Sequence, residues 1–253
     1  MIMLKKEDLF VSSNIIETGS NEQYKKIPTL INAVKMFSHI VYQSIYLIDY
    51  SRQSFLYVSD NPLFLCGLTA KEVKELGYTF YLKNVPKEDQ KMLREISNNG
   101  LKFFNGISDI DKRKCSISYD FHLLKGNKKI LVNHKLTPTL LTDNGNIWIV
   151  TCIVSLSSQK SAGHIEFHIN DSKNYWEFSL KSHKWKENHI IILKEEEKDV
   201  IRLSSEGFTM NEIADIMFKS IDTIKFYKRN LFEKLKVSNI TEALTYAISY
   251  KLL

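Results

Sequence analysis

The sequence predicts an α+β chain in two parts: a five-stranded antiparallel sheet with helices, then an all-α unit of four short helices from residue 193 to the end. Three observations carry this. Residues 115–123 alternate strictly, with Cys115, Ile117, Tyr119, Phe121 and Leu123 on one face, the period of a half-buried strand. Residues 129–141 and 146–156 flank Asp143-Asn144-Gly145, a composition that favours a tight hairpin turn. Farther on, Thr209 followed by Glu212 forms a capping box, and Ser220 can cap a second helix whose first turn holds Asp222 at the positive helix end.

The remaining elements follow in order. Ile27, Leu30, Ile31, Val34 and Val41 fit a helical stripe, with Pro28 tolerated in the first turn. Residues 44–50 and 55–59 read as strands around the turn Ser51-Arg52-Gln53-Ser54. Short helical pieces follow at 62–68 and 69–76, the second capped by Thr69 with Glu72 as its partner. A longer helix is expected over 87–98, ending near Gly100. Residues 165–169 and 175–180 form a second hairpin that extends the sheet or braces the linker, with Trp176 and Trp185 as packing residues.

The order strand–strand–short helices–helix–strand–strand–strand over 44–158 resembles a PAS domain. Asp49, the Ser59-Asp60-Asn61 run and Val85-Pro86-Lys87-Glu88-Asp89 carry the resemblance. It implies a sheet with helices on one face and a small cavity between them, so a small-molecule ligand of unknown identity is expected there.

In the C-terminal unit the two helices that Thr209 and Ser220 cap are separated by only a tight turn, the spacing of a helix-turn-helix. On the second helix Ile224, Tyr227, Leu231 and Leu235 fall in one narrow arc, and Asp222, Lys225, Phe226 and Arg229 lie opposite, with Lys228 on the flank. Long cationic side chains leaving a helix this way reach guanine edges or phosphates. Leu193, Glu197, Val200-Ile201-Arg202-Leu203, Glu206-Gly207-Phe208-Thr209, Glu212-Ile213-Ala214, Thr223-Ile224-Lys225, Asn230-Leu231, Lys234-Leu235 and Thr241-Glu242-Ala243 resemble the LuxR-type (GerE-like) DNA-binding domain. The resemblance implies that Lys225, Phe226 and Arg229 face base edges. Asn211, Ser220, Thr223, Lys228 and Asn230 then contact phosphates or position the helix. Tyr227 stands where the family usually has histidine, Ile240 where it has arginine, and Lys194-Glu195 where it has Thr-Pro. The last helix, 241–253, is expected to bury Leu244, Ala247, Ile248 and Leu252 and to turn Tyr246 and Tyr250 outward toward a dimer partner.

Charge is placed locally. The chain carries 35 basic and 29 acidic residues, net +6. Residues 193–253 hold 10 of each sign and are neutral, whereas 219–236 hold 6 basic (219, 225, 228, 229, 234, 236) against 2 acidic (222, 233). The reading helix is therefore cationic within a neutral unit.

The expected organisation is a helical extension (1–43), a PAS-like domain (44–158), an extra hairpin and linker (159–189) and the helix-turn-helix domain (190–253). Cys66, Cys115 and Cys152 are odd in number and far apart, which argues for buried free thiols and a reducing, cytoplasmic compartment. No stretch approaches the roughly 20 apolar residues of a membrane helix, and the opening residues lack the apolar core of a secretory signal. No cysteine sits in a flavin signature, and no histidine pair has the spacing of a helical metal site, so no cofactor is expected. A phosphorelay receiver would need a parallel strand-helix repeat, and the aromatic-acidic signature of acyl-homoserine-lactone domains is absent. The function read from these residues is a dimeric, sequence-specific transcriptional regulator that binds double-stranded DNA, not an enzyme and not a membrane protein. The competing reading is a PAS-fold ligand-binding or adaptor protein whose helical tail serves only oligomerisation.

Overall fold

The computed structural model describes residues 21–250 and 252–253. Residues 1–20 of the expected extension and Lys251 of the expected last helix lie outside the described residues. The chain divides into two compact units between Asn188 and His189.

The N-terminal unit begins with α1 (Asn21–Tyr24) and α2 (Ile27–Ser38). Strands β1 (Ser44–Asp49) and β2 (Ser54–Val58) follow, then α3 (Pro62–Leu65), α4 (Ala70–Leu76), α5 (Thr79–Asn84), α6 (Lys87–Gly106) and α7 (Asp109–Lys112). Strands β3 (Cys115–Lys125), β4 (Lys128–Leu141), β5 (Ile147–Leu156), β6 (Gly163–Ile169), β7 (Asn174–Ser179) and β8 (Lys184–His189) complete it. They form one sheet in the order β2-β1-β5-β4-β3-β6-β7-β8. The sheet thus has eight strands and not the expected five. The segment after β5 does not merely brace a linker: Cys115 pairs with Ile169 and Ile117 with Phe167, so β6 extends the ladder from β3.

Period-two alternation explains why β1 is buried along its whole length. Tyr46 and Ile48 enter the main core with Phe55, Phe64, Phe80, Tyr81 and Phe121, whereas Leu47 packs on the other face with Ile27 and Trp148. Helices α1 and α2 therefore cover one face and α3 to α6 the other. Tyr24 fastens the former: its ring meets Trp148 at 4.9 Å edge-on, and its hydroxyl donates to the buried Asp49 at 2.8 Å.

Three helical details differ from expectation. Helix α6 runs through Gly100 to Gly106, and the hydrogen at Gly100 admits Ile117 Cδ1 to 3.0 Å from where a Cβ would stand. Helices α5 and α7 are too short for a periodic signal, although Ser108 caps α7 through Asp111 N–H at 3.2 Å. The turn at Gly145 (φ +75°) closes by its N–H donating to Thr142 O at 2.9 Å. Trp176 and Trp185 pack around Phe103, at 5.5 and 4.8 Å.

Two buried polar groupings were invisible to pattern reading. On the face covered by α3 to α6 the Tyr46 hydroxyl bonds to Tyr81 at 2.6 Å and to His134 Nε2, while His134 Nδ1 has no partner among the described residues. Burial pushes that imidazole down to about 3, so it is neutral. On the opposite face Glu166 is 2% exposed and stands between His164 Nε2 at 3.2 Å and His168 Nε2 at 3.0 Å, each on a different carboxylate oxygen. The two imidazoles thus address the carboxylate from either side, one on each oxygen. Among the described residues no group of three or more His, Cys, Asp or Glu is arranged to hold one.

Burial alone would raise the Glu166 carboxyl, but the bonds from His164 and His168 hold it at about 2, below its ordinary 4.5. The Glu166 bond also raises His164 above 6.5, against the opposing effect of burial. Glu166 stabilises the fold above pH 4.5 and loses that contribution as pH falls toward 2. His164 stabilises fully below pH 6.5 and loses its contribution as pH rises through its raised value. His164→Gln should cost about 1 kcal/mol near pH 5.5, since the pair is partly solvent-screened, and should flatten the decline above pH 6.5. Thermal unfolding followed by tryptophan emission measures this, because Trp148, Trp176 and Trp185 all lie in the N-terminal unit. Parallel pH profiles for the two proteins would show that the ion pair contributes nothing.

Candidate nucleic-acid interface and the cavity of the N-terminal unit

The C-terminal unit contains α8 (Glu195–Ser205), α9 (Met210–Ile216), α10 (Ile221–Leu235) and α11 (Ile240–Ser249). Thr209 caps α9: its hydroxyl accepts from Glu212 N–H at 3.4 Å, and its own N–H donates to Glu212 Oε2 at 2.7 Å. Ser220 caps α10 by accepting from Thr223 N–H at 3.1 Å. Helix α8 ends at Gly207 (φ +94°), where Phe208 N–H reaches back to Leu203 O at 3.2 Å.

Apolar burial sets the rotation of α10. Ile224, Leu231 and Leu235 are buried and Tyr227 is half-buried. Ile224 packs with Val200, Leu203, Ile213 and Ala214, while Leu231 and Leu235 pack with Leu193, Ile201, Ala243 and Ala247. The opposite side is thereby presented outward. Lys225 is exposed, with its ammonium 3.2 Å from Asp222. Phe226 is 49% exposed, and the exposed Arg229 holds its guanidinium 5.7 Å from the Phe226 ring centre. Lys228 is half-buried on the flank, 5.7 Å over Phe232. Thr223 and Asn230 are half-buried on the other flank, and the Thr223 hydroxyl lies 2.8 Å from that of Ser220. Asn211 stands exposed in the first turn of α9. Lys225, Phe226 and Arg229 thus form one outward strip, and the other candidates flank or cap it, apart from Asn211 on the preceding helix.

Helix α11 departs from the sequence reading. Ala247 is buried and Leu244 and Leu252 pack against the core as expected, but Ile248 is 63% exposed and Ala243 takes its place in the buried face. Tyr246 and Tyr250 stack on each other at 4.3 Å, half-buried, with Tyr246 against the core.

The structural roles of Glu197, Lys234 and Phe218 escaped sequence reasoning. Glu197 looks like a first-turn helix acid, yet it is 3% exposed because it shares a helical face with Val200 and Ile201. Lys234 grips its two oxygens at 2.8 and 2.6 Å, and Lys194 N–H donates to it at 2.8 Å, so α8 and α10 are joined by a charge-assisted clasp. The apolar phase of 197, 200 and 201 was the available signal. Phe218, in the turn between α9 and α10, adopts left-handed backbone (φ +52°) with its ring 93% exposed.

In the N-terminal unit a cavity of about 60 Å³ lies between α6 and the sheet, lined chiefly by apolar side chains and by Tyr50, Ser97, Ser116 and Tyr119. Gly100 and Ile117 form part of its wall.

Residues 192–247 match the family described as bacterial regulatory proteins, luxR family. The four-helix unit is a LuxR-type helix-turn-helix domain. The transcriptional activator protein PhzR of Pseudomonas fluorescens is 36% identical over 62 residues, which span 24% of this chain and 25% of that protein. The match therefore spans about a quarter of the curated relative's length. Among solved structures, the phage VqmA–DPO complex is 15% identical, with 89% of this chain and 92% of that chain covered and a TM-score of 0.35. The Vibrio cholerae VqmA dimer without target DNA is 16% identical, with 88% of each chain covered and a TM-score of 0.33. The N-terminal domain of a diguanylate cyclase with PAS/PAC sensor from Marinobacter aquaeolei is 13% identical, covering 45% of this chain and 94% of that one, at a TM-score of 0.35.

Lys234→Ala leaves a buried carboxylate without its counter-ion and should cost the C-terminal unit about 2 kcal/mol, less than a wholly buried pair because Lys234 is partly exposed. Phe218→Gly removes the left-handed penalty at the price of chain entropy and should stabilise by about 0.5–1 kcal/mol. Amide hydrogen exchange over 224–235 reads both: faster exchange in the first variant, slower in the second. Unchanged rates would remove either residue from the account.

Proposed function

We propose that this chain is a dimeric, sequence-specific transcriptional regulator of the cytoplasm. A PAS-like domain at 44–158 receives a signal or provides the dimer surface, and the domain at 190–253 inserts α10 into the major groove of double-stranded DNA. The observation that carries this reading is the outward strip Lys225–Phe226–Arg229, cationic within a neutral unit and opposite the buried Ile224, Leu231 and Leu235. Such a helix face suits base edges, and flanking donors such as Lys228, Thr223, Asn230, Ser220 and Asn211 suit phosphates. Two subunits would read an inverted repeat with half-sites about 34–36 Å apart. Helix α2, within the expected extension at 1–43, supports dimerisation, since its Met36 and Phe37 and the following Ile40 are all more than 60% exposed. Residues 159–189, expected as a hairpin and linker, hold β6 to β8 and belong to the sheet of the N-terminal unit.

The signal enters through the cavity beside α6. At about 60 Å³ it is far smaller than the roughly 150 Å³ cavity that accepts benzene. A larger ligand must displace its walls. Its apolar lining with a few hydroxyls favours a small neutral molecule.

A gel shift with DNA from upstream of the protein's own coding region tests the output. Arg229→Ala should cost roughly 1–3 kcal/mol of specific binding. Lys228→Ala should weaken all duplexes alike and reduce the salt slope by about one. Absence of salt-dependent binding would favour the adaptor reading, in which the helical tail serves oligomerisation.

A further inference from the structure

The outward strip of α10 carries an aromatic ring at the centre of an otherwise polar surface. Phe226 exposes about half of its surface, and its ring is backed by Tyr227 at 6.1 Å and overlain by the Arg229 guanidinium at 5.7 Å. This arrangement does two things. It keeps an apolar surface in the middle of the strip that faces base edges, and it restricts the guanidinium to one side of that ring. The other cation of the strip, Lys225, is tethered to Asp222 at 3.2 Å. Farther along the same side stands the exposed Glu233, an acid that repels the DNA backbone and so limits the reading surface to the helix's first turns.

Phe226 and Arg229 are three residues apart, which is about 4.5 Å along a helix axis. One base step along a DNA strand is about 3.4 Å. Neighbouring base pairs are therefore the natural targets of the two side chains. In the major groove an apolar face is complementary to one base feature, the thymine 5-methyl group, and a guanidinium fork to another, guanine O6 and N7.

We infer that each half-site contains a thymine adjacent to a guanine, the thymine methyl seated on Phe226 and the guanine edge read by Arg229. This rests on the DNA-binding reading above and deepens it from a charged strip to a stated pair of bases. Phe226 is then a specificity residue in its own right and a positioning residue for Arg229.

The test begins with selection of duplexes from a randomised pool by the full-length protein. Each thymine of the selected half-site is then replaced by deoxyuridine, which deletes the methyl and leaves every hydrogen bond. Wild-type binding should weaken roughly fourfold for each half-site in which one thymine is replaced, the worth of one buried methyl group. Phe226→Ala should bind the thymine and uracil duplexes equally, and Phe226→Leu should retain part of the difference. Circular dichroism shows whether each variant keeps its helix content. At the neighbouring position, 7-deazaguanine should weaken the wild type roughly tenfold and leave Arg229→Ala unaffected. A specific duplex that tolerates uracil at every thymine, or a Phe226→Ala variant as uracil-sensitive as wild type, overturns the assignment and leaves the regulator reading standing. Failure to enrich any duplex overturns both.

Discussion

Burial of Ile224, Leu231 and Leu235 fixes the rotation of α10 about its own axis, and the geometry of the candidate interface depends on it. Each such side chain contributes roughly 1.5–3 kcal/mol when removed from water, so turning the helix to present another face would forfeit most of the unit's core. The Glu197–Lys234 clasp adds a second restraint, because it ties the far end of α10 to the first turn of α8. Caps at Thr209 and Ser220 define where the helices on either side of the turn begin. With axis, rotation and start all set by packing and capping, the positions of Lys225, Phe226 and Arg229 follow without any contribution from a ligand.

A comparable constraint organises the N-terminal unit. Alternation along β1 sends Tyr46 and Ile48 to one side and Leu47 to the other, and helices cover both. The covered sheet must then accommodate polar groups wherever the chain places them. Tyr46, Tyr81 and His134 Nε2 bond to one another within the apolar layer, with His134 Nδ1 unpartnered among the described residues, and Glu166 is satisfied by two imidazoles on the opposite face. Desolvation keeps His134 neutral, whereas the charge of Glu166 persists because its partners are within hydrogen-bond reach. The fold thus holds two buried polar devices of opposite electrostatic character, one neutral and one ionic.

Local chemistry decided what could be read in advance. The alternation of 115–123, the turn around Gly145 and the caps at Thr69, Thr209 and Ser220 are short-range signals, and each appears where the residues place it. The core face of α10 was legible for the same reason. Strands β6 to β8 were harder, since pairing between Ile117 and Phe167 is a long-range event that no local pattern encodes. Gly100 reads as a helix end but serves as a point of close approach for Ile117. In α11, Ile248 lies beside buried Ala247 in sequence and yet faces outward, because two small alanines, 243 and 247, set the contact instead of the larger residue. Glu197 was hidden by its chemistry: an acid in a helix's first turn is usually solvated, and here Lys234, on another helix, and the Lys194 N–H make its burial tolerable.

Lysine acetylation footprinting of the full-length protein, free and bound to its selected duplex, tests most directly whether core packing has turned the Lys225 side of α10 toward DNA. Mass spectrometry should find Lys225 and Lys228 protected by the duplex, Lys234 equally unreactive in both states through its hold on Glu197, and Lys194 and Lys198 of the first helix as reactive as before. Protection of Lys194 and Lys198 with Lys225 still fully reactive would contradict the account.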